Sequence, residues 1–360
     1  MLNSQSTAGP PITPRQTRAV LIDRWGPPES LAEREILLPD PLPDEVHLRV
    51  EAAGVNFADL MMRMGLYGTV PPRPFSPGFE VCGRVARIGS GITHWREGDQ
   101  AVALLRHGGY AQDVVVPESH LFPMPQGLSP AEAAAVPVVF LTAWVCLIET
   151  GSARSGETVL ILGAGGGVGT AAVQLARLKG LTVIGTAGEE RKRRYVCDEL
   201  GAAACFDSRA EWEGEVLREA GKRGIDIALD PVGGRATRAC LRLLAPLGRL
   251  VFYGMSEAVP GSRRRRLRAA LAWLKTPRIH PMKLIRPNVS VHGVHLLHLG
   301  SKEDRLRDAY GALLPELEAG RLRPVLDRTF PLTREGAAEA HRYLHERRNL
   351  GKVVLIRPQC

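Results

Sequence analysis

At 360 residues the chain is long enough for two domains, and its 44% hydrophobic and 24% charged residues match globular proteins and exclude disordered, collagenous and multi-span membrane compositions. Six cysteines, Cys82, Cys146, Cys197, Cys205, Cys240 and Cys360, form no CxxC pair, which argues against a disulfide framework or a structural zinc cage and makes a reducing cytoplasm the expected location. The net charge of +9 is concentrated in residues 191–194 and 263–266, so it does not by itself point to nucleic acid, which is not an expected partner.

Residues 1–17 read as a flexible tail, mostly Ser, Thr, Pro and Gln, without the basic and apolar regions of a signal peptide. Short β-rich runs follow at 19–22, 46–50, 81–88, 100–105 and 111–116, broken by Gly and Pro, and predict a mostly β lobe. The most apolar window, 133–148, contains Pro137 and Thr142 and is shorter than the ~20 residues of a bilayer span, so it is expected to be a buried core helix. Between 158 and 253 strands and helices alternate (158–162, 169–179, 182–186, 190–200, 226–229, 238–244, 249–253), the pattern of βαβ units and a parallel sheet. Beyond a basic helix at 263–275, a strand at 325–330, a helix at 334–346 and a last strand at 352–356 complete the chain. The expected fold class is α/β, a mostly β lobe with a doubly wound, parallel-sheet nucleotide-binding lobe.

The run Ala164-Gly165-Gly166-Gly167-Val168-Gly169 joins the apolar strand 158–162 to a helix-prone segment, which is where a dinucleotide pyrophosphate binds. The missing side chains let phosphates approach the backbone, and the helix N-terminus supplies free N–H groups and a positive dipole end. Ala164 stands where the fingerprint has its first glycine. An acid normally closes the second strand of NAD sites, but this strand ends in Thr186-Ala187-Gly188, and Arg191, Lys192, Arg193 and Arg194 follow. NADPH is therefore the expected cofactor, although some of these cations belong to a solvated helix face partly neutralised by Glu189 and Glu190.

These features, together with Gly54-Val55-Asn56-Phe57-Ala58-Asp59, Pro77-Gly78-Phe79-Glu80, Gly98-Asp99, Gly109-Tyr110-Ala111, Asp230-Pro231-Val232-Gly233-Gly234 and Gly351-Lys352-Val353-Val354-Leu355, resemble the medium-chain dehydrogenase/reductase superfamily. The resemblance implies a GroES-like catalytic lobe made of 18–140 and 300–360, with the C-terminus returning to it, a Rossmann-type nucleotide lobe inserted at 141–299, and a homodimer. Zinc enzymes of the superfamily have Cys where this chain has Asn56 and His where it has Phe79, so no metal is expected and the zinc-free quinone oxidoreductase branch is the nearer match. The stretch NFADLMMRMGLY from Asn56, with His295-Leu296 and Asn349-Leu350-Gly351-Lys352, resembles the vesicle amine transport protein homologues most. Carried over, the resemblance puts Asn56, Asp59, Arg63 and Tyr67 at the substrate end of the cleft and Thr142 beside the nicotinamide. It puts Lys192 at the 2′-phosphate, with Gly254 and Asn349 lining the cofactor. Quinone reductases often carry Tyr where this chain has Met61, which leaves Tyr67 as the expected hydroxyl donor.

Without a metal, the hydride acceptor has to be activated already, as in a quinone or an α,β-unsaturated carbonyl compound. Asn56 and Tyr67 are the candidate donors to its oxygen; the alternatives are that Asn56 satisfies buried backbone groups and Tyr67 packs against the cofactor. Along a strand His295 would face away from His292 and His298, so the three form no metal site. The segment from Ser262 to Lys275 combines a basic face with an apolar stripe. It carries the alternative function, a nucleotide-binding membrane-surface or interaction protein with little reductase activity.

Overall fold

The computed structural model describes residues 15–68, 70–259, 271, 274–299, 302 and 304–358. The β lobe is built on a seven-stranded sheet, in the spatial order Leu326–Pro331, Lys352–Ile356, Glu45–Val55, Glu80–Ile88, Gln100–Leu104 and Leu121–Pro123, with Asp113–Pro117 paired off Glu45–Val55. The end of the chain closes this lobe, since Lys352–Ile356 runs antiparallel to Ala52–Val55 with Val354 opposite Gly54. A two-stranded ribbon, Arg15–Ile22 against Leu31–Leu38, lies alongside and is pinned by Thr17 Oγ1 donating to Asp113 at 3.0 Å. Residues 15–17, read as tail, are thus the start of a strand; the rest of that expected tail lies outside the described residues.

The second sheet has six parallel strands in the order Ala204–Asp207, Thr182–Ala187, Thr158–Leu162, Ile225–Asp230, Leu244–Phe252 and Ser290–Gly293. Numbered along the sheet's own sequence this is 3-2-1-4-5-6, and the reversal between Thr158–Leu162 and Ile225–Asp230 opens a crevice at their carboxyl ends. The central strands read TVLIL and IDIALD because helices cover both faces.

The sequence reading missed the edge strand Ala204–Asp207, the polar helix Glu213–Ala220 and the long helix Asp304–Glu318. The last carries a legible pattern, with Leu306, Ala309, Tyr310, Leu313 and Leu317 buried at helical spacing. The apolar window is also longer than expected. Pro130–Thr150 is one helical run of 21 residues, long and apolar enough to span a bilayer, yet its most apolar stretch is mostly buried inside the protein. Pro137 begins its Pro137–Trp144 segment instead of breaking it, and the run packs in a single core with the helix Gly167–Leu178. The basic amphipathic segment 262–275 lies almost wholly outside the described residues.

Candidate active site

The glycine run forms a tight turn after Thr158–Leu162, and the helix Gly167–Leu178 starts at its end with Gly166 as N-cap. Helix and turn touch so closely that a Cβ on Gly169 would stand 2.2 Å from the Gly163 carbonyl oxygen. Ala164 donates its N–H to Thr186 O at 2.9 Å, and Thr186 itself is 1% exposed. Thr186, expected among the cofactor-binding residues, braces the turn from beneath. Gly351 N–H donates to Gly165 O at 2.9 Å and fastens the C-terminal segment to the turn, and Asn349 Nδ2 donates to Gly351 O at 2.8 Å within that segment. Gly254 follows the strand Leu244–Phe252 at the same carboxyl edge, and Thr142 lies nearly buried on Pro137–Trp144. The turn, with its bare glycines and open helix N-terminus, fits a dinucleotide pyrophosphate.

No acid ends the strand Thr182–Ala187, as expected. The carboxylate nearby, Asp207 on the neighbouring strand, is engaged by Arg193 at 3.3 Å and Arg209 at 3.4 Å. Lys192 is buried beside Gly165, its ammonium donating to Arg347 O and standing 3.8 Å from Glu189. Desolvation lowers its pKa below the usual lysine value. Arg209, which the sequence reading did not single out, approaches Gly188: a Cβ there would lie 3.5 Å from its Nε. Arg191 and Arg194 pair with Glu189 and Glu190 on the exposed helix face.

Three neighbouring strand ends of the β-lobe sheet adjoin. Asn56 follows Glu45–Val55, Glu80 opens Glu80–Ile88 and Lys352 opens Lys352–Ile356. Lys352 Nζ donates to Glu80 Oε1 at 2.6 Å, Asn56 Oδ1 at 2.8 Å and Val55 O at 3.0 Å, while its stem passes Gly167. Asn56 Nδ2 donates to Glu80 Oε1 at 2.9 Å, and Val138 N–H to Glu80 Oε2 at 2.8 Å. Gly54 is required beneath this cluster, since its Cβ would come within 2.3 Å of Glu80. Asn56 thus has both its oxygen and its nitrogen engaged, which favours the alternative of a buried, satisfied amide over a donor to substrate.

Asp59 and Arg63, expected at the substrate end, are fully buried and turned into the β lobe. Asp59 accepts from Asn56 N at 2.7 Å, Gly78 N at 3.0 Å and Tyr110 Oη at 3.2 Å. Burial nevertheless lifts its carboxyl to about 7. Tyr110 Oη lies 3.1 Å from His341 Nε2, and His341 Nδ1 accepts from Arg63 Nε at 3.1 Å. The Arg63 guanidinium also reaches His345 and the Gly26 carbonyl, and burial presses its pKa down to about 10, still charged at neutral pH. The reason is periodic: Asn56, Asp59 and Arg63 share one face of the helix Phe57–Met64, and that face is internal.

Tyr67 differs. Gly65 ends the helix in the left-handed conformation (φ 64°, ψ 36°) and re-aims the chain, leaving Tyr67 half-buried at the cleft. Its ring leans on Phe79 at 5.6 Å, and its Oη lies 3.0 Å from His295 Nε2. Burial and the Asp59 charge raise the phenol to about 12, so it holds its proton at neutral pH. Met61 packs with Met64, Met255, Ala258 and Val259. The strand expected around the three histidines stops at Gly293; His295 and His298 lie in the turn beyond it with rings stacked 3.9 Å apart, not on opposite faces. No cluster of three or more metal-ligating side chains is present among the described residues.

Known families and proteins resemble this arrangement. The family described as Alcohol dehydrogenase GroES-like domain matches residues 42–126, and Zinc-binding dehydrogenase matches residues 200–355. A Synaptic vesicle membrane protein VAT-1 homolog of Rattus norvegicus is 36% identical over 327 residues, covering 91% of this chain and 80% of the relative. A Quinone oxidoreductase of Rattus norvegicus is 30% identical over 343 residues, covering 94% and 97%. The solved Quinone oxidoreductase of Thermus thermophilus, described also in complex with NADPH, superposes with a TM-score of 0.77 at 38% identity, covering 94% of this chain and 99% of that one.

Proposed function

The chain belongs to the medium-chain dehydrogenase/reductase superfamily and is an oxidoreductase of it, and from that premise we propose an NADPH-dependent, zinc-independent reductase of quinones or α,β-unsaturated carbonyl compounds. The observation that carries this reading is the Lys352 ammonium seated between Asn56 and Glu80. A fixed organic cation fills the space beside the residue that zinc enzymes of the superfamily replace by a thiolate, and Phe79 cannot supply an imidazole. With Asn56 and Phe79 at these positions, the favoured acceptors are those that spread developing charge over their own π-system.

NADPH, when bound, supplies the hydride. The backbone N–H groups at the start of Gly167–Leu178 hold the pyrophosphate, and the lobe-to-lobe bond from Gly351 to Gly165 keeps that turn against the catalytic lobe. Lys192 and Arg209 favour a 2′-phosphate at the end of the second strand, and the NADPH complex of the Thermus relative supports the same preference. Tyr67 donates a proton to the oxygen that gains charge, while Asn56, Asp59 and Arg63 position the helix that leads to it. Ser290–Gly293, an edge strand without a further partner among the described residues, supports a homodimer formed by edge pairing.

A panel assay tests this reading. Purified protein with NADPH should consume it with quinones and enones and much more slowly with saturated ketones; preference for saturated ketones, or stoichiometric zinc in untagged protein, contradicts it. A weak contact with anionic membrane surface is a second reading. It is supported by exposed Leu274, Met282 and Ile285 beside Lys275, Lys283 and Arg286, and co-sedimentation with anionic vesicles tests it.

A further inference from the structure

We propose that His295 is a positioning residue that feeds protons to Tyr67, so that the donor on the catalytic lobe is resupplied from solvent through the nucleotide lobe. This rests on the reading of Tyr67 as the proton donor to the acceptor oxygen. Three observations carry it. Tyr67 Oη and His295 Nε2 are 3.0 Å apart, within hydrogen-bond reach, and the two residues come from opposite lobes. The imidazole is oriented from both sides, by the Tyr67 ring at 5.8 Å and by His298 stacked at 3.9 Å. His295 is also exposed, whereas the polar groups Asp59, Glu80, Tyr110, His341 and Lys352 around the helix Phe57–Met64 are all buried and bonded to one another or to backbone. It is therefore the group in contact with Tyr67 that water can reach.

Hydride addition places two electrons on the acceptor and leaves its oxygen anionic; the Tyr67 O–H bond breaks and its proton goes to that oxygen. The Nε2–H bond of His295 breaks in turn, its proton re-forming the phenol, while a solvent proton binds Nδ1. The imidazole ends as the Nδ1–H tautomer, and exchange with water restores the first. Depressed below its usual value by desolvation and by His298, His295 is mainly neutral near pH 7, which suits a relay that changes tautomer without storing charge. A neutral ring with hydrogen on Nε2 also leaves the phenolic hydrogen free to point at the acceptor. The opposite tautomer would capture it.

The test combines kinetics with a readout that needs no turnover. His295→Ala should lower quinone turnover about tenfold, with NADPH affinity unchanged, and added imidazole should restore part of the rate. His295→Gln, which can donate to the phenol but not exchange tautomers, should keep the Tyr67 ¹³Cζ resonance near its wild-type position in labelled protein while its turnover stays low. His295→Ala should move that resonance. Wild-type turnover in both variants, or an unmoved resonance in His295→Ala, overturns the relay. If the wild-type protein reduces no acceptor, the functional reading fails and the relay with it, and a resonance that still moves identifies the contact as purely structural.

Discussion

The helix Phe57–Met64 and the turn after it carry polar groups of two kinds. Asp59 and Arg63 are fully buried in a closed network with Tyr110, His341 and His345, whereas Tyr67, only four residues beyond Arg63, lies at the cleft against an exposed histidine. Every partner of the buried set is another residue of the β lobe, so its work is to fix the helix. The Tyr67 side has a solvent-exposed neighbour, His295, from the other lobe. Similar residue types close together in sequence therefore divide into a buried scaffold and a cleft-facing group at the left-handed Gly65, where helical periodicity ends.

Damage to the buried set should therefore appear in stability. The largest effect is expected from Arg63→Met, which leaves the Gly26 carbonyl, His341 Nδ1 and His345 Nε2 without their donor and should cost about 2–4 kcal/mol in urea unfolding. The fraction that folds should keep its NADPH affinity. A variant as stable as the parent would show that the network contributes nothing.

The same network should shape the pH dependence of stability. Asp59 titrates at about 7 when folded and at ~4 when unfolded, so between these values the folded state binds more protons and stability falls as pH rises, by at most roughly 1.4 kcal/mol per pH unit. His345 is held down to about 4 by burial and the Arg63 charge. Between about 4 and its unfolded value of ~6.5 the unfolded state binds more protons, and its contribution rises with pH. The two slopes oppose each other in the wild-type protein. Asp59→Asn should remove one and leave stability that climbs from about pH 4 to about 6.5 and then levels, read by thermal melts across pH. Parallel curves for the two proteins would contradict the assignment.

The smallest expected effect lies in the other lobe. Lys192→Ala should reduce the preference for NADPH over NADH by about tenfold, roughly 1.4 kcal/mol, with Arg209 retaining the remainder. Nucleotide titration by fluorescence measures it, and an unchanged ratio would remove Lys192 from the 2′-phosphate site.

Legibility followed the same line. The parallel sheet and its glycine turn were readable because apolar strands, bare glycines and a helix start adjoin in sequence, and Thr158–Leu162 and Lys352–Ile356 appear with the expected ends. The site was legible in its parts and not in its contacts. Glu80 and Lys352 each stand at the end of an apolar strand, a local sign of a buried charge, but 272 residues separate them and only the sheet register brings them together. Arg63 and His341 are 278 residues apart, and nothing local marks either as buried. The motif that holds Asp59 and Arg63 does not by itself decide which face of its helix looks inward. The apolar residues beyond Gly293 read as a continuing strand, whereas the chain turns there and brings His295 to Tyr67.

Tyr67→Phe tests the central claim most directly, because it removes one oxygen from the cleft side and leaves the buried network intact. With NADPH and a quinone as substrates, turnover should fall ~10- to 1,000-fold while the NADPH dissociation constant and the melting temperature stay at wild-type values. Undiminished turnover in this variant would contradict the account, and would place the proton donor elsewhere.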